Sequence, residues 1–237
     1  GRQAGEAGRG EGDEDEREEE APYEESRGAV GLQLVRDLAP PGAAWEYPLL
    51  DERRRCFAGY LRQALAGGAA ERLMRAAVEG TQWRQPEGPR GPIPRKTSWM
   101  TQAPCTCRYG YGGLQIKPEP FAPWVRDAMK LCMPLCGLAD PEKWPNSCNL
   151  NLYEDGGHSV GWHADDEKLF QGKFKDCLII SLSLGGARHF DLKATAPPHE
   201  DCRLLLAGGD LCTMEGLAQR HYVHRVPKER GAREPQP

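Results

Sequence analysis

Between residues 148 and 226 the chain is cut by glycine turns into short runs of alternating or wholly apolar character, and this punctuation narrows the fold more than any other feature. The runs cover residues 148–153, 159–163, 178–184, 189–192, 203–206, 210–214 and 222–226, and Asp155-Gly-Gly157, Gly185-Gly186 and Gly208-Gly209 stand between some of them. Several short strands at near-regular spacing predict a sandwich or a double-sheet barrel. Upstream, residues 53–78 read as one or two helices around the break Ala66-Gly-Gly-Ala69, with apolar positions at Phe57, Leu61, Leu65, Leu73 and Ala76. Residues 123–136 read as a second amphipathic helix that starts on Pro123, and residues 85–94 as a Pro/Gly-rich loop. The expected class is therefore mainly β with flanking helices (α+β), the helices packed on one sheet.

The N-terminal end differs in kind. Residues 1–28 carry eleven acidic and four basic side chains, net −7, which leaves +3 on the rest of a chain of net charge −4. With almost no apolar residue to offset its ordering entropy, this stretch is expected to be a disordered acidic tail, followed by a helical extension over residues 29–80. The mildly basic remainder permits a polyanionic ligand. No apolar run approaches the ~20 residues that span a bilayer, so no membrane partner is expected, and the chain is expected to be a monomer. Nine cysteines, an odd number without a repeated framework, suit free thiols in a reducing compartment. Cys105-x-Cys107 and Cys132-x3-Cys136 lack a second pair at zinc-site spacing, which argues against a structural zinc. The zinc-deaminase signature is absent as well. Nuclear and cytoplasmic locations both fit, and an organellar address stays open because the first residue is Gly rather than Met.

His163-Ala-Asp165 closes one predicted strand. On a strand, residues two apart point to one face and reach one ion, whereas on a helix they diverge by about 200°. An isolated His-x-Asp is most often a surface pair. A third ligand changes that reading, and the run 222–226 offers His224, with His221 just before it as a competitor. At a spacing of three the two face opposite sides of a strand, so only one can serve. Two His and one carboxylate on one side of an ion, with the opposite positions open, are the ligand set of non-haem iron(II) oxygenases.

The ordered set Asn151-Leu-Tyr153, Ser159-Val-Gly-Trp-His163-Ala-Asp165-Asp-Glu167, Ser181-Leu-Ser-Leu-Gly185, Gly208-Gly-Asp210, Met214-Glu-Gly216 and His224-Arg-Val-Pro-Lys228 resembles the AlkB family of iron- and 2-oxoglutarate-dependent dealkylases. The match runs from about residue 83 to the end and is most similar to the eukaryotic branch acting on single-stranded DNA and RNA. The resemblance implies a double-stranded β-helix (jelly-roll) core in a dioxygenase domain over residues 81–237. It implies Fe(II) on His163, Asp165 and His224 as the catalytic and metal residues, which settles His224 over His221. It further implies 2-oxoglutarate as cosubstrate on Asn151 and Tyr153, O2 as oxidant, and Asp166 beside the exocyclic nitrogen of the target base. Residues 94–113, with Pro94-Arg95-Lys96-Thr-Ser-Trp99 and Arg108-Tyr-Gly-Tyr-Gly-Gly113, resemble the family's nucleotide-recognition segment. There Arg95 and Lys96 are expected on phosphates, and Tyr111 offers a face for a base to stack on, while Tyr109 and Tyr111 read equally well as packed strand aromatics.

The implied reaction is oxidative removal of an N-alkyl group from a base in DNA or RNA, with release of formaldehyde, succinate and CO2. The expected partner is single-stranded DNA or RNA carrying methylated bases. One departure stands out: the family continues past His224-Arg-Val-Pro-Lys228 with an R-x-N-x-T-x-R strand whose arginines anchor 2-oxoglutarate. This chain ends at Arg233-Glu-Pro-Gln-Pro237, so it is expected to be a fragment and to leave a sheet edge unpaired. Two other readings stay open: a catalytically impaired nucleic-acid-binding relative, and a 2-oxoglutarate hydroxylase acting on protein or a small molecule.

Overall fold

Each of the seven runs after residue 147 is a strand, and the glycine turns separate them. The computed structural model describes residues 23–88, 91–111 and 114–229, without the side chains of Tyr111 and Leu114. First in the chain come α1 (Val35–Leu38), β1 (Glu46–Asp51), β2 (Cys56–Leu61) and α2 (Ala69–Gly80). The middle holds β3 (Glu87–Gly88), β4 (Gly91–Pro92), β5 (Lys96–Thr101), β6 (Tyr109–Tyr111), β7 (Leu114–Ile116), β8 (Glu119–Pro120) and α3 (Pro123–Cys132). The remainder is β9 (Ser147–Leu152), β10 (Val160–His163), β11 (Cys177–Leu182), β12 (Arg188–Ala194), β13 (Asp201–Leu206), β14 (Leu211–Gly216), α4 (Ala218–His221) and β15 (Tyr222–Val226).

Two four-stranded antiparallel sheets build the jelly roll, one in the order β1-β2-β14-β11 and the other β10-β15-β12-β13. The period of two along each strand sends alternate residues between the sheets. Ala58 of β2, Met214 of β14, and Leu192 and Ala194 of β12 meet there with Leu217 and Tyr222. The opposite face of the first sheet is covered by helices. Leu61 and Leu211 on that face pack with Leu73 of α2 and with Ala128 and Cys132 of α3. Each helix presents its buried residues at i, i+1, i+4 and i+8, namely Ala69, Ala70, Leu73 and Ala77 on α2, and Trp124, Val125, Ala128 and Cys132 on α3. That stripe follows from 3.6 residues per turn, and burying Leu73 contributes about 1.5–3 kcal/mol. Pro123 opens α3, where its missing N–H costs nothing. Covered on both faces, β2 and β14 are buried at all six positions.

The helical expectation for residues 53–78 holds only in its second half. Residues 56–61 form β2, because Cys-Phe-Ala-Gly-Tyr-Leu is a short continuous apolar run, a pattern that cannot be told from a buried helix by periodicity. Gly59 shows what the strand requires, since a Cβ there would come within 2.5 Å of Thr213 Oγ1 on the neighbouring strand. With β1 and β2 in one sheet with β14 and β11, the extension over residues 29–80 supplies half of that sheet rather than a separate helical unit.

Residues 1–22 of the expected acidic tail lie outside the described residues, but 23–28 are held against the body. The Glu24 amide donates to the Arg53 carbonyl at 2.9 Å, and Glu24 accepts from His221 at 2.7 Å. A third sheet, in the order β8-β5-β9, holds residues 96–101 of the 94–113 segment beside β9, with Thr97 opposite Asn151, and residues 109–111 pair separately in β6–β7. Among the described residues, β9 pairs only with β5 and β11 only with β14, so each presents an unpaired edge.

Candidate metal centre

Strand register places the two histidines together. In the antiparallel pair β10–β15, His163 lies directly opposite His224, and Leu192 of β12 lies on the other side of His224. Directly opposed residues share a face, while Asp165 lies beyond the end of β10, so the loop after the strand, and not the strand face expected from the sequence, brings it to the two histidines. His163, Asp165 and His224 each offer a ligand atom, and these atoms lie within 4.8 Å of one another. His163 Nε2 is 3.9 Å from Asp165 Oδ1, and His224 Nε2 is 3.5 Å from Asp165 Oδ2. Two atoms bound about 2.1 Å from one ion can be at most about 4.2 Å apart, so both separations fit a shared metal. Two imidazoles and a carboxylate on one side suit Fe(II) with open positions opposite.

The surroundings prepare these groups as ligands. Burial, reinforced by the neighbouring His224, lowers the His163 pKa and favours the neutral ring that binds metal. The His163 Nδ1 faces the Gly161 carbonyl at 2.8 Å, which fixes the ring and leaves Nε2 for the ion. Burial works to raise the Asp165 pKa, but the hydrogen bond from His224 and the charges of His224 and His163 together outweigh it and hold the carboxyl below the usual range. Gln219 of α4, 2% exposed, accepts from the Asp165 amide at 2.8 Å and so pins the loop that carries the ligand. His221 bonds Glu24 instead, and it closes α4 rather than lying on the strand with His224, so helix geometry and not an opposite strand face turns it away.

Beside the metal side lies the Asn151–Tyr153 pair. Asn151 Oδ1 accepts from Arg95 Nε at 2.8 Å. The Arg188 guanidinium sits 5.1 Å from the centre of the Tyr153 ring. Burial pushes the Tyr153 phenol up to about 12, against the smaller opposing pull of Arg95 and Arg188, so its O–H remains a donor at neutral pH. A phenol donor, an amide and two guanidiniums are groups whose chemistry fits a dicarboxylate such as 2-oxoglutarate. Arg188 was not singled out from the sequence, and nothing local marks it. Its importance comes from bonds to the carbonyls of Asp155 and His158 in the β9–β10 loop and of Pro227 after β15, which clamp these two segments together.

In the 94–113 segment the structure departs from a phosphate-binding surface. Arg95 is 9% exposed and committed to Asn151, and Lys96 bonds Glu154 at 2.6 Å. Tyr109 is buried, its ring stacked on Trp99 at 5.0 Å and 25°. Phe170 meets both rings at 6.1 Å. Packing therefore describes Tyr109, while the Tyr111 side chain lies outside the described residues. Asp166 is exposed, 3.8 Å from Lys173. Glu167, which the sequence reading quoted but gave no role, turns inward instead. Burial pushes its carboxyl up, the Tyr109 hydroxyl donates to it, and its Oε2 is buried without a partner.

Several motif residues are structural. Glu215 accepts from the Val35 amide, the Tyr47 hydroxyl and the Thr213 hydroxyl at 2.9, 2.7 and 2.6 Å, tying α1 and β1 to β14. Gly216 has φ +70°, and a Cβ there would lie 2.1 Å from the Arg55 carbonyl oxygen. Asp210 accepts from Tyr60, Gln63 and Ala207 and closes the Gly208-Gly209 turn. These positions hold the sheet that faces the metal strands rather than touching the site.

The comparisons agree with this geometry. A family model described as the 2OG-Fe(II) oxygenase superfamily matches residues 55–237, and the chain belongs to that superfamily. Within it, the curated relatives place the chain in the AlkB family. It is 32% identical over 180 residues to "Alpha-ketoglutarate-dependent dioxygenase alkB homolog 3" of Homo sapiens, covering 70% of this chain and 58% of that protein. It is 33% identical over 119 residues to an "Alpha-ketoglutarate-dependent dioxygenase AlkB homolog" of Caulobacter vibrioides, covering 49% and 52%. A match to "DNA oxidative demethylase ALKBH2" of Mus musculus is 30% identical over 143 residues, covering 57% and 55%. The chain spans a little over half the length of these relatives. The superfamily takes Fe(II), 2-oxoglutarate and O2, and the two His and one Asp found here fit that iron. Among the described residues no helix is long and apolar enough to cross a membrane.

Proposed function

We propose that the chain is an Fe(II)/2-oxoglutarate-dependent dioxygenase that removes methyl groups from N-alkylated bases in single-stranded DNA or RNA. The observation that carries this reading is the His163–Asp165–His224 cluster, with Glu167 two residues beyond Asp165 bonded to the Trp99–Tyr109–Phe170 aromatic group. The three ligands would hold the iron, which with 2-oxoglutarate and O2 supplies the oxidation of the methyl carbon; formaldehyde, succinate and CO2 are the products. Tyr153 and Asn151 orient the cosubstrate by hydrogen bonding, with Arg95 and Arg188 adding positive charge. A methylated base made cationic by its alkyl group is drawn to carboxylates, and Asp166 and Glu167 supply two beside the metal. The aromatic group keeps bulk water from the reacting methyl.

The test is mass spectrometry of methylated single-stranded DNA and RNA oligonucleotides after incubation with Fe(II) and 2-oxoglutarate. Two forms are used: the 237-residue chain and the chain extended by an R-x-N-x-T-x-R strand, whose backbone can pair with the free edges of β9 and β11. Loss of one methyl per turnover with matching succinate is expected. An extended chain that binds iron yet leaves every methylated base intact would overturn the assignment.

A further inference from the structure

Nine cysteines are free, and seven of them are poor nucleophiles by position. Burial pushes Cys132, Cys136, Cys148 and Cys212 up to about 12 and Cys177 to about 11, and it raises Cys56 and Cys202 as well. Cys105 and Cys107 differ. Cys107 is exposed and Cys105 half-buried, in the loop between β5 and β6. They line one cavity of about 410 Å³ with Glu142, Trp144 and Asn146. Interaction between the two thiols lowers the Cys105 pKa and raises that of Cys107, which favours the thiolate at Cys105 and the protonated thiol at Cys107.

We propose that Cys105 and Cys107 form a reversible dithiol–disulfide site for peroxides and small-molecule disulfides, coupled through Trp99 to the aromatic group beside the metal. With a peroxide, the Cys105 thiolate attacks one oxygen of the O–O bond, which breaks to release hydroxide and leaves Cys105 as a sulfenic acid. The Cys107 sulfur then displaces water from that sulfenic acid. Two thiols have lost two electrons and two protons, and one peroxide has become two waters. With a disulfide such as oxidised glutathione, Cys105 forms the mixed disulfide and Cys107 expels the second thiol. The two residues line the same cavity with only Thr106 between them, and bonding needs the loop to bring their sulfurs to about 2.05 Å.

The coupling lies in the backbone of the same two residues. Thr101 Oγ1 donates to the Cys105 carbonyl at 2.8 Å, and Trp99 Nε1 donates to the Cys107 carbonyl at 2.7 Å. Trp99 in turn stacks on Tyr109, two residues after Cys107. A bridge spanning only Thr106 closes a small ring and reorients the peptide whose carbonyl holds the Trp99 indole. Oxidation therefore loosens the Trp99–Tyr109 stack. The dithiol itself stands without the proposed function, and only its effect on base binding rests on that reading.

The full chain is treated with hydrogen peroxide or oxidised glutathione, alkylated under denaturing conditions and digested. The peptide holding Cys105 and Cys107 is expected to lose two hydrogens, to regain them with dithiothreitol, and to react before the other seven cysteines. Cys107→Ser should leave a sulfenic acid on Cys105 that dimedone captures. Unmodified thiols at 105 and 107 while another cysteine oxidises would overturn the site. Amide exchange over residues 107–111 reads the coupling without nucleic acid: about tenfold faster exchange after oxidation is expected, and none in the double Ser variant. Unchanged exchange with the disulfide formed overturns the coupling. Affinity for a single-stranded oligonucleotide should fall about tenfold on oxidation and recover on reduction. A reduced chain with no such affinity counts against the proposed function, and the exchange result then decides the coupling by itself.

Discussion

The metal centre and the 94–113 segment were both marked by motif, yet they came out of folding differently. At the metal centre the three motif residues come together: His163 ends β10, Asp165 follows in the loop just beyond it, and His224 completes the set across one antiparallel pair. In the segment, Arg95 turned to Asn151, Lys96 to Glu154, and Tyr109 onto Trp99. The two histidines are held by backbone register, and Asp165 by a short loop whose amide Gln219 pins. The long side chains of the segment choose among partners that only the assembled fold brings near. A motif therefore predicts orientation where the backbone decides it, and only residue type where a flexible side chain decides.

Substitutions can test that contrast, beginning with the largest expected effect. His224→Ala should weaken Fe(II) binding by about a thousandfold or more, above the roughly 100-fold ceiling typical for losing an outer partner, in anaerobic titration. Its folding should change little by comparison. Trp99→Ala should do the reverse, costing about 3–5 kcal/mol in chemical denaturation while metal affinity of the folded fraction persists. If Trp99→Ala abolished metal binding in folded protein, the two regions would not be separable. Gln219→Leu keeps the ligands and removes the acceptor for the Asp165 amide, so metal affinity should fall about 10- to 100-fold.

Lys96→Ala should be nearly silent in stability, within about 1 kcal/mol, because its partner Glu154 is also solvent-exposed. If Lys96 nevertheless leaves Glu154 for a phosphate when nucleic acid binds, the salt dependence of oligonucleotide affinity should lose about one unit of slope. The smallest effect lies beside the metal strands. Hydrogen bonds from Arg203, and then from Arg225 against the opposing effect of burial, hold the Asp191 carboxyl below its ordinary range. A folded pKa below the unfolded value of ~3.9 means that this stabilisation is complete above pH ~4 and is lost as pH falls through the folded pKa. Denaturation midpoints should drop in that acid window for the native chain and flatten there in Asp191→Asn.

Legibility followed the range of the interaction. Seven strands and both long helices could be read from local pattern, as could the His163-x-Asp165 half of the site. Residues 56–61 were misread because a strand buried on both faces loses its alternation, and its partners β1 and β14 are recognisable only once paired. Gln219 and Arg188 had no local signal, since one acts on a backbone amide 54 residues earlier and the other on carbonyls of two distant segments at once. Glu215 and Gly216 were legible as a motif but not as what they are, a polar brace and a turn that admits no Cβ.

By itself, the sequence determined the ligand types, the close spacing of His163 and Asp165, and the mainly β class, all of which are local properties of the chain. The tertiary structure decided that His163 stands opposite His224, that Glu167 rather than Asp166 turns inward, and that Arg95 meets Asn151. Those outcomes depend on strand register and on the competition for buried partners, and both are set by contacts between residues far apart in the chain.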